Sequence, residues 1–362
     1  MGLGEIHRVI AQIGDPRRDL LTLAVGALGA LIATLVHMPM ALLAGPAVAV
    51  SLAGLCGLSL HISPRLRDAG FLVIGLSIGS LVGPESIEAM MRWPVAFGLL
   101  AGLTLATPWA GRWLIPRLLP IDRDEAFLAA APGHLSLVIA LADSLQLSLT
   151  RPVVLASIRL MALTLLVPLA ASLAGIEIGP GLPQLAAVTP WAWILGQIVA
   201  ALLLAPVLKA LKLPAHVLIA GIVVAATTHL AGWTAGGLPG WAAQASLILM
   251  GAMIGSRFGG MGWRELRQSL TAGLAIVVLT TGLATLAALP AAYLSGLPLL
   301  DVLLGFSPGG LETMIILSAA LGADPSFVAA AHLFRLSVLA VVLTLYATDV
   351  ARRGQGKSDG QR

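Results

Sequence analysis

APGHLSLVIAL (131–141) returns 176 residues later as SPGGLETMIIL (307–317), so Pro132-Gly133 falls on Pro308-Gly309. The same offset lays IGLSIGSLVG (74–83) on MGAMIGSRFG (250–259), matching Gly75, Gly79 and Ser80 with Gly251, Gly255 and Ser256, and it carries Arg159 onto Arg335. Leucine on leucine means little in so apolar a chain, so the weight rests on the Gly, Pro, Ser and Arg identities. Read without gaps from about residue 45 to 160, the offset makes the chain two copies of one unit.

The unit is a membrane unit. Of 362 residues, 58% are hydrophobic and 10% charged, and mean hydropathy is +0.96. A soluble domain of this length needs far more polar surface. Apolar runs long enough to cross roughly 30 Å of hydrocarbon recur along the chain. Spans are expected near 20–36, 40–59, 69–83, 93–115 and 151–173, and again near 190–211, 215–231, 243–257, 269–292 and 326–348. Between the fourth and fifth span of each copy lies an apolar segment broken by Pro-Gly, at 122–148 and 299–324.

Positive charge decides whether those broken segments cross. With Arg8, Arg17 and Arg18 inside, the Arg65/Arg67 loop and the Arg112, Arg117, Arg123 group also fall inside, and the Glu85/Glu88 loop outside. If the Pro-Gly segments crossed, the Lys209/Lys212 and Arg257/Arg264/Arg267 loops would land outside. If they dip in and return, those loops join Arg352, Arg353 and Lys357 inside. The re-entrant reading follows, and five crossings per copy then invert one copy relative to the other.

The expected fold is an all-α polytopic membrane protein. It has two inverted repeats of about five transmembrane helices each, with a Pro-Gly-broken re-entrant helical segment per repeat. The expected organisation is a cytoplasmic N-terminal segment (1–19), repeat 1 (20–175), a linker (176–188), repeat 2 (189–350) and a disordered cytoplasmic tail (351–362). The first apolar run has a counterpart in the second half, so it reads as a retained span rather than a signal peptide. Trp93, Trp113, Trp191, Trp233, Trp241 and Trp263, near span ends, fit an interfacial aromatic belt. The single Cys56 reads as a packed thiol.

Inverted repeats with discontinuous helices are the architecture of many secondary transporters, with the binding site at mid-membrane. The two tips are the sharpest candidates. Pro132 and Pro308 remove a backbone donor, and Gly133, Gly309 and Gly310 permit a sharp reversal, so each segment becomes two half-helices. Non-helical backbone at membrane depth survives where it is buried in protein or lines an aqueous cavity. The second half-helix starts at the tip, and its free N–H groups and positive dipole end suit an anion or polar solute. Glu312, in the first turn of that half-helix, is the candidate coupling acid. Its repeat partner Ser136 is neutral, and His134 sits at the first tip.

Arg159 and Arg335 lie too deep in their spans to snorkel easily and need partners. Asp301, Glu125 and Glu312 are the carboxylates expected to pair with them, and an anionic substrate is the functional alternative. His332, one turn before Arg335, joins the group. The expected substrate-binding set is Pro132, Gly133, His134, Ser136, Arg159, Ser307, Pro308, Gly309, Gly310, Glu312 and Arg335. Enzyme motifs are absent: no phosphate loop, nucleophile elbow or zinc-helix pattern occurs, and the seven histidines are scattered. No catalytic residue, metal site or cofactor is expected. The cations sit in short loops and at the tail, without a basic face interleaved with aromatics, so nucleic acid is not an expected partner.

The stretches SPGGLETMIILSAALGADPSFVAAAHLFRL (307–336) and APGHLSLVIALADSLQLSLTRPVVLASIRL (131–160) resemble the bacterial AbrB-duplication membrane protein family, and the likeness runs from about residue 20 to 350. The chain departs from the family's P-G-G-L-x-E-M form at Thr313, and its first copy has His134 for the second Gly and no acid. The resemblance implies an integral membrane protein. Members are described variously as transporters, as a regulator of a stress gene, or under the label ammonia monooxygenase. The missing metal ligands argue against the oxidase label.

The leading expectation is a secondary transporter of a small anionic or zwitterionic solute in the bacterial inner membrane, with both termini cytoplasmic. Its expected partners are the lipid bilayer and a small-molecule or ion substrate, with homo-oligomerisation left open. The alternative is a membrane regulator or sensor that alters gene expression through a partner. It would use the only extended soluble segment, ARRGQGKSDGQR (351–362), and deleting that tail discriminates the two.

Overall fold

Apolar runs in this chain end where proline, glycine or a capping hydroxyl ends them, and the helices of the computed structural model follow. The structure describes residues 16–82, 88, 91–131, 150–176, 178–179, 181–183, 185–211 and 213–359. Among them are thirteen helices: α1 (Pro16–Leu35), α2 (Ala41–Leu55), α3 (Pro64–Gly79), α4 (Trp93–Leu118), α5 (Arg123–Ala130), α6 (Thr150–Leu173), α7 (Trp191–Ala210), α8 (His216–Leu230), α9 (Gly240–Ser256), α10 (Trp263–Ser295), α11 (Leu299–Phe306), α12 (Leu311–Ala320) and α13 (Pro325–Asp359).

Each of the ten expected spans coincides with a helix. The starts differ where local chemistry overrides hydropathy. α3 begins at Pro64, before the expected 69, because the Ser63 hydroxyl caps it by accepting from the Leu66 N–H and Pro64 suits the first turn. Asp19 of α1 in turn accepts from the Ser63 N–H at 2.8 Å. α13 runs to Asp359, through nine residues that the sequence reading assigns to the tail. α1, α4, α6 from Val154, α7 and α10 are long and apolar enough to cross a bilayer. α2 and α8, at 15 residues each, extend only about 22 Å.

The chain divides into two compact units, and neither is a sequence half. The first comprises residues 1–88, 164–263 and 315–326; the second comprises 89–163, 264–314 and 327–362. The cuts after Glu88 and after Trp263 fall at corresponding places in the two copies. Each copy thus gives its first three helices to one unit, while the second broken segment is itself divided, α11 and residues 307–314 falling in the second unit and the rest of α12 in the first.

Within the first unit the packing is reciprocal: α3 lies against α8, and α9 against α2. A Cβ on Gly75 would collide with the Leu218 carbonyl and come within 3.1 Å of the Gly221 Cα, while one on Gly251 would collide with the Leu43 carbonyl and approach Pro46. One turn on, Gly79 faces Ile222 and Ala225, and Gly255 faces Ala47 and Val50. These are two small-xxx-small ridges that let backbones touch, the usual device where lipid supplies no hydrophobic drive between helices.

The contacts correct the repeat register. Leu43, Pro46, Ala47 and Val50 stand where Leu218, Gly221, Ile222 and Ala225 stand, an offset of 175 rather than 176. The extra residue of the second copy lies in the loop before its third helix, residues 231–239 against 56–63. The sequence match of Gly45 with Gly221 is a coincidence of composition; α2 and α8 also share a left-handed residue at the N-cap, Met40 and Ala215, in the 175 register.

In the second unit, α4 packs on α5, and Ile115, Ile121, Ala126, Ala129, Leu155, Ala272 and Ile276 form a buried cluster among α4, α5, α6 and α10. Phe127 and Tyr346 stack with ring centroids 3.8 Å apart, and the Tyr346 hydroxyl donates to Asp124 at 2.5 Å. Tyr346→Phe is expected to cost about 1.5–3 kcal/mol, the scale of a hydrogen bond to a charged acceptor. A lowered melting temperature of the purified protein checks this.

Candidate functional site: a broken helix held by buried arginine

The second Pro-Gly segment is two helices with a break. α11 ends at Phe306, residues 307–310 are irregular, and α12 starts at Leu311. Pro308 cannot donate to a helical ladder, and Gly309 lies so close to Met314 that a Cβ would strike that side chain. A Cβ on Gly310 would press on the Leu160 side chain at 3.2 Å. Ser307, Glu312 and Thr313 are buried around the break.

Breaking a helix strands carbonyls at its C-terminal end. Arg335, reaching over from α13, supplies donors: Nη1 donates to the Ser307 carbonyl at 2.6 Å and Nη2 to that of Gly309 at 3.5 Å. Arg159 of α6 does the same for the first copy, Nη1 donating to the carbonyls of Ala129 and Ala131 at 2.9 and 3.2 Å at the end of α5. Ala131 and Ser307 are repeat mates, so one contact is built twice. A cation at the negative end of a helix dipole is also favourable.

Both arginines are 3% exposed. Carboxylates were their expected partners; the hydrogen bonds described run from Arg159 Nη1 and from both Nη groups of Arg335 to carbonyl oxygens, and Glu125, Asp301 and Glu312 each have an interaction partner. Each guanidinium keeps a buried Nε–H with no hydrogen-bond partner among the described residues, and the two lie within electrostatic reach of each other. His332, buried one turn from Arg335, has Nδ1 2.9 Å from the Val328 carbonyl; that bond places a proton on Nδ1, and Nε2 is buried with no partner among the described residues. The Ser307 hydroxyl is likewise buried without a partner.

The structure thus gathers Ser307, Pro308, Gly309, Gly310, Glu312, Arg335 and Arg159 into one unit, with His332 beside them. Pro132, Gly133, His134 and Ser136 lie outside the described residues. Sequence reasoning missed the carbonyl acceptors. The available signal was spacing: each arginine follows its broken helix end by 28 residues, Ala131 to Arg159 and Ser307 to Arg335.

Long apolar helices and a helix-break-helix segment set among them define the class, a helical membrane protein. The chain belongs to the AbrB family: the family model described as "Transition state regulatory protein AbrB" matches residues 42–350. It is also similar to "Uncharacterized protein YhjN" of Bacillus subtilis (strain 168), with 23% identity over 307 residues and 78% of each chain covered.

Proposed function

We propose that this chain is a secondary transporter of a small anionic or zwitterionic solute, bound at the broken helices near mid-membrane. The observation that carries the reading is the pair of buried guanidiniums, each fixed by a helix end and each with an unused donor. Two like charges out of water are costly, and an anion joining them would satisfy both spare donors and relieve their repulsion. The N-terminal end of α12 adds a positive helix end at the same break.

Glu312, 9% exposed in the first turn of α12, is the coupling acid in this reading. A carboxylate there balances the helix dipole when charged and can take up a proton as access changes. The reciprocal packing of α3 on α8 and α9 on α2 supports two halves related by a two-fold, which we read as inverted repeats with re-entrant hairpins in the bacterial inner membrane. On this reading the chain carries out no covalent chemistry and uses no cofactor.

The test is charge movement by proteoliposomes on a solid-supported membrane when small carboxylates or amino acids are applied. Wild-type protein should give a transient current with at least one of them. Glu312→Gln should reduce it by about tenfold or more, the scale of one lost charged hydrogen bond. Silence of the wild type across the panel, or an unchanged current in the variant, rejects the reading.

A further inference from the structure

The 26 residues of α4 make a helix of about 39 Å, longer than the ~30 Å hydrocarbon core. Trp113, exposed and five residues from the C-terminal end of α4, takes an interfacial aromatic position, whereas Trp93 at the other end is buried against Phe97 and Phe327. The turn after Trp113 therefore projects to the depth of lipid headgroups. A cavity of about 600 Å³ opens at that end, lined by Trp109, Arg112, Trp113, Pro116, Arg117 and Arg123.

Its charge is unevenly spent. Arg112 donates to Asp124 from Nε and Nη2 at 3.3 and 3.2 Å, and Asp122 is engaged as the N-cap of α5, accepting from the Asp124 N–H. Arg117 and Arg123 are exposed and have no ion-pair partner among the described residues. The Arg117 guanidinium is stacked 3.5 Å from the Trp113 ring centre, which fixes it at the mouth while leaving its N–H edges available. Pro116 and the exposed Trp113 supply apolar wall on the bilayer side.

We propose that this cavity binds the phosphate headgroup of an anionic phospholipid, with Arg117 and Arg123 as the phosphate ligands and Trp109 and Trp113 flanking the glycerol and upper acyl chain. A headgroup suits the place better than a free anion, because an aromatic wall at interfacial depth rewards an attached chain and basic pockets at helix ends are natural headgroup sites. The site is independent of what the chain transports.

Native mass spectrometry of the full chain, delipidated in detergent and titrated with phosphatidylglycerol, phosphatidylcholine or inorganic phosphate, tests it. Wild-type protein should retain phosphatidylglycerol in preference to phosphatidylcholine. Arg117→Gln with Arg123→Gln should weaken that binding about thirtyfold, at the attraction of an anionic lipid for two cations. Arg264→Gln with Arg267→Gln removes the same charge from exposed positions on α10 and should leave it within about twofold. Equal loss in both double variants, no loss in the first, equal retention of phosphatidylcholine, or equal occupancy by inorganic phosphate each overturns the proposal. Size exclusion and circular dichroism on every variant exclude misfolding as the cause, and exposure of all four arginines makes folded protein the expectation.

Discussion

Gly75→Leu is expected to leave no monodisperse folded protein, and Gly251→Leu should do the same. At Gly75 the added side chain would start inside the Leu218 carbonyl, with the Gly221 backbone behind it. Backbone cannot rotate aside as a flexible side chain does, so α3 and α8 must separate along a ridge that also includes Gly79. Overpacking a close-packed core costs about 1–3 kcal/mol when side chains can yield, and more where only backbone faces the insertion. Loss of the whole α3–α8 contact therefore exceeds the ordinary range for a point substitution. Gly98→Leu and Gly196→Leu are the controls: both are helical glycines with nothing within 4 Å of a notional Cβ, and both variants should elute as wild type does. Fluorescence-detected size exclusion of tagged variants reads all four. A folded Gly75→Leu protein would show that the backbone contact is not needed.

Arg335→Ala and Arg159→Ala should each destabilise the protein by about 2–6 kcal/mol, since each strands two buried carbonyls at about 1–3 kcal/mol apiece. The more telling quantity is their coupling. Each single substitution loses one cap but also removes the repulsion between the two guanidiniums. The double substitution loses both caps and gains that relief only once. It should therefore cost more than the two singles together, and the excess measures the repulsion. Chemical unfolding in detergent gives all four corners of the cycle. Strict additivity would mean that the two charges do not sense each other, and the argument for an anion between them would fall. Lysine at position 335 keeps the charge but loses the two-pronged geometry, so it should recover only part of the loss.

Much of this was legible in the chain itself. Hydropathy located ten helices because twenty apolar residues have few other uses, and the glycines of 75/79 and 251/255, matched across the repeat, are the positions where backbones meet. The register of α2 on α8 was not legible. Where nearly every residue is Ala, Leu, Val or Gly, offsets of 175 and 176 match almost equally, and only the contact of Gly251 with Leu43 and of Gly75 with Leu218 separates them. The carbonyl partners of Arg159 and Arg335 were not legible for a related reason. A carboxylate carries a letter in the sequence, whereas a carbonyl freed by a helix break belongs to every residue and is marked only by the proline that frees it. Nor does covalent order show that each copy divides its helices between two units; contiguous halves are what a sequence displays, and spatial units are what packing makes.

The reciprocal contact of α3 with α8 and α9 with α2 is what two identical subunits would make across a dyad, here with the subunits joined end to end. Joining them releases a constraint on the broken helices. Identical subunits must carry the same residue at both tips, but a fused chain can place Glu312 at one and Ser136 at the other, Gly310 at one and His134 at the other. The duplicated chain has thus kept the symmetry that builds the framework and discarded it at the Pro-Gly positions, where it carries one acid rather than two.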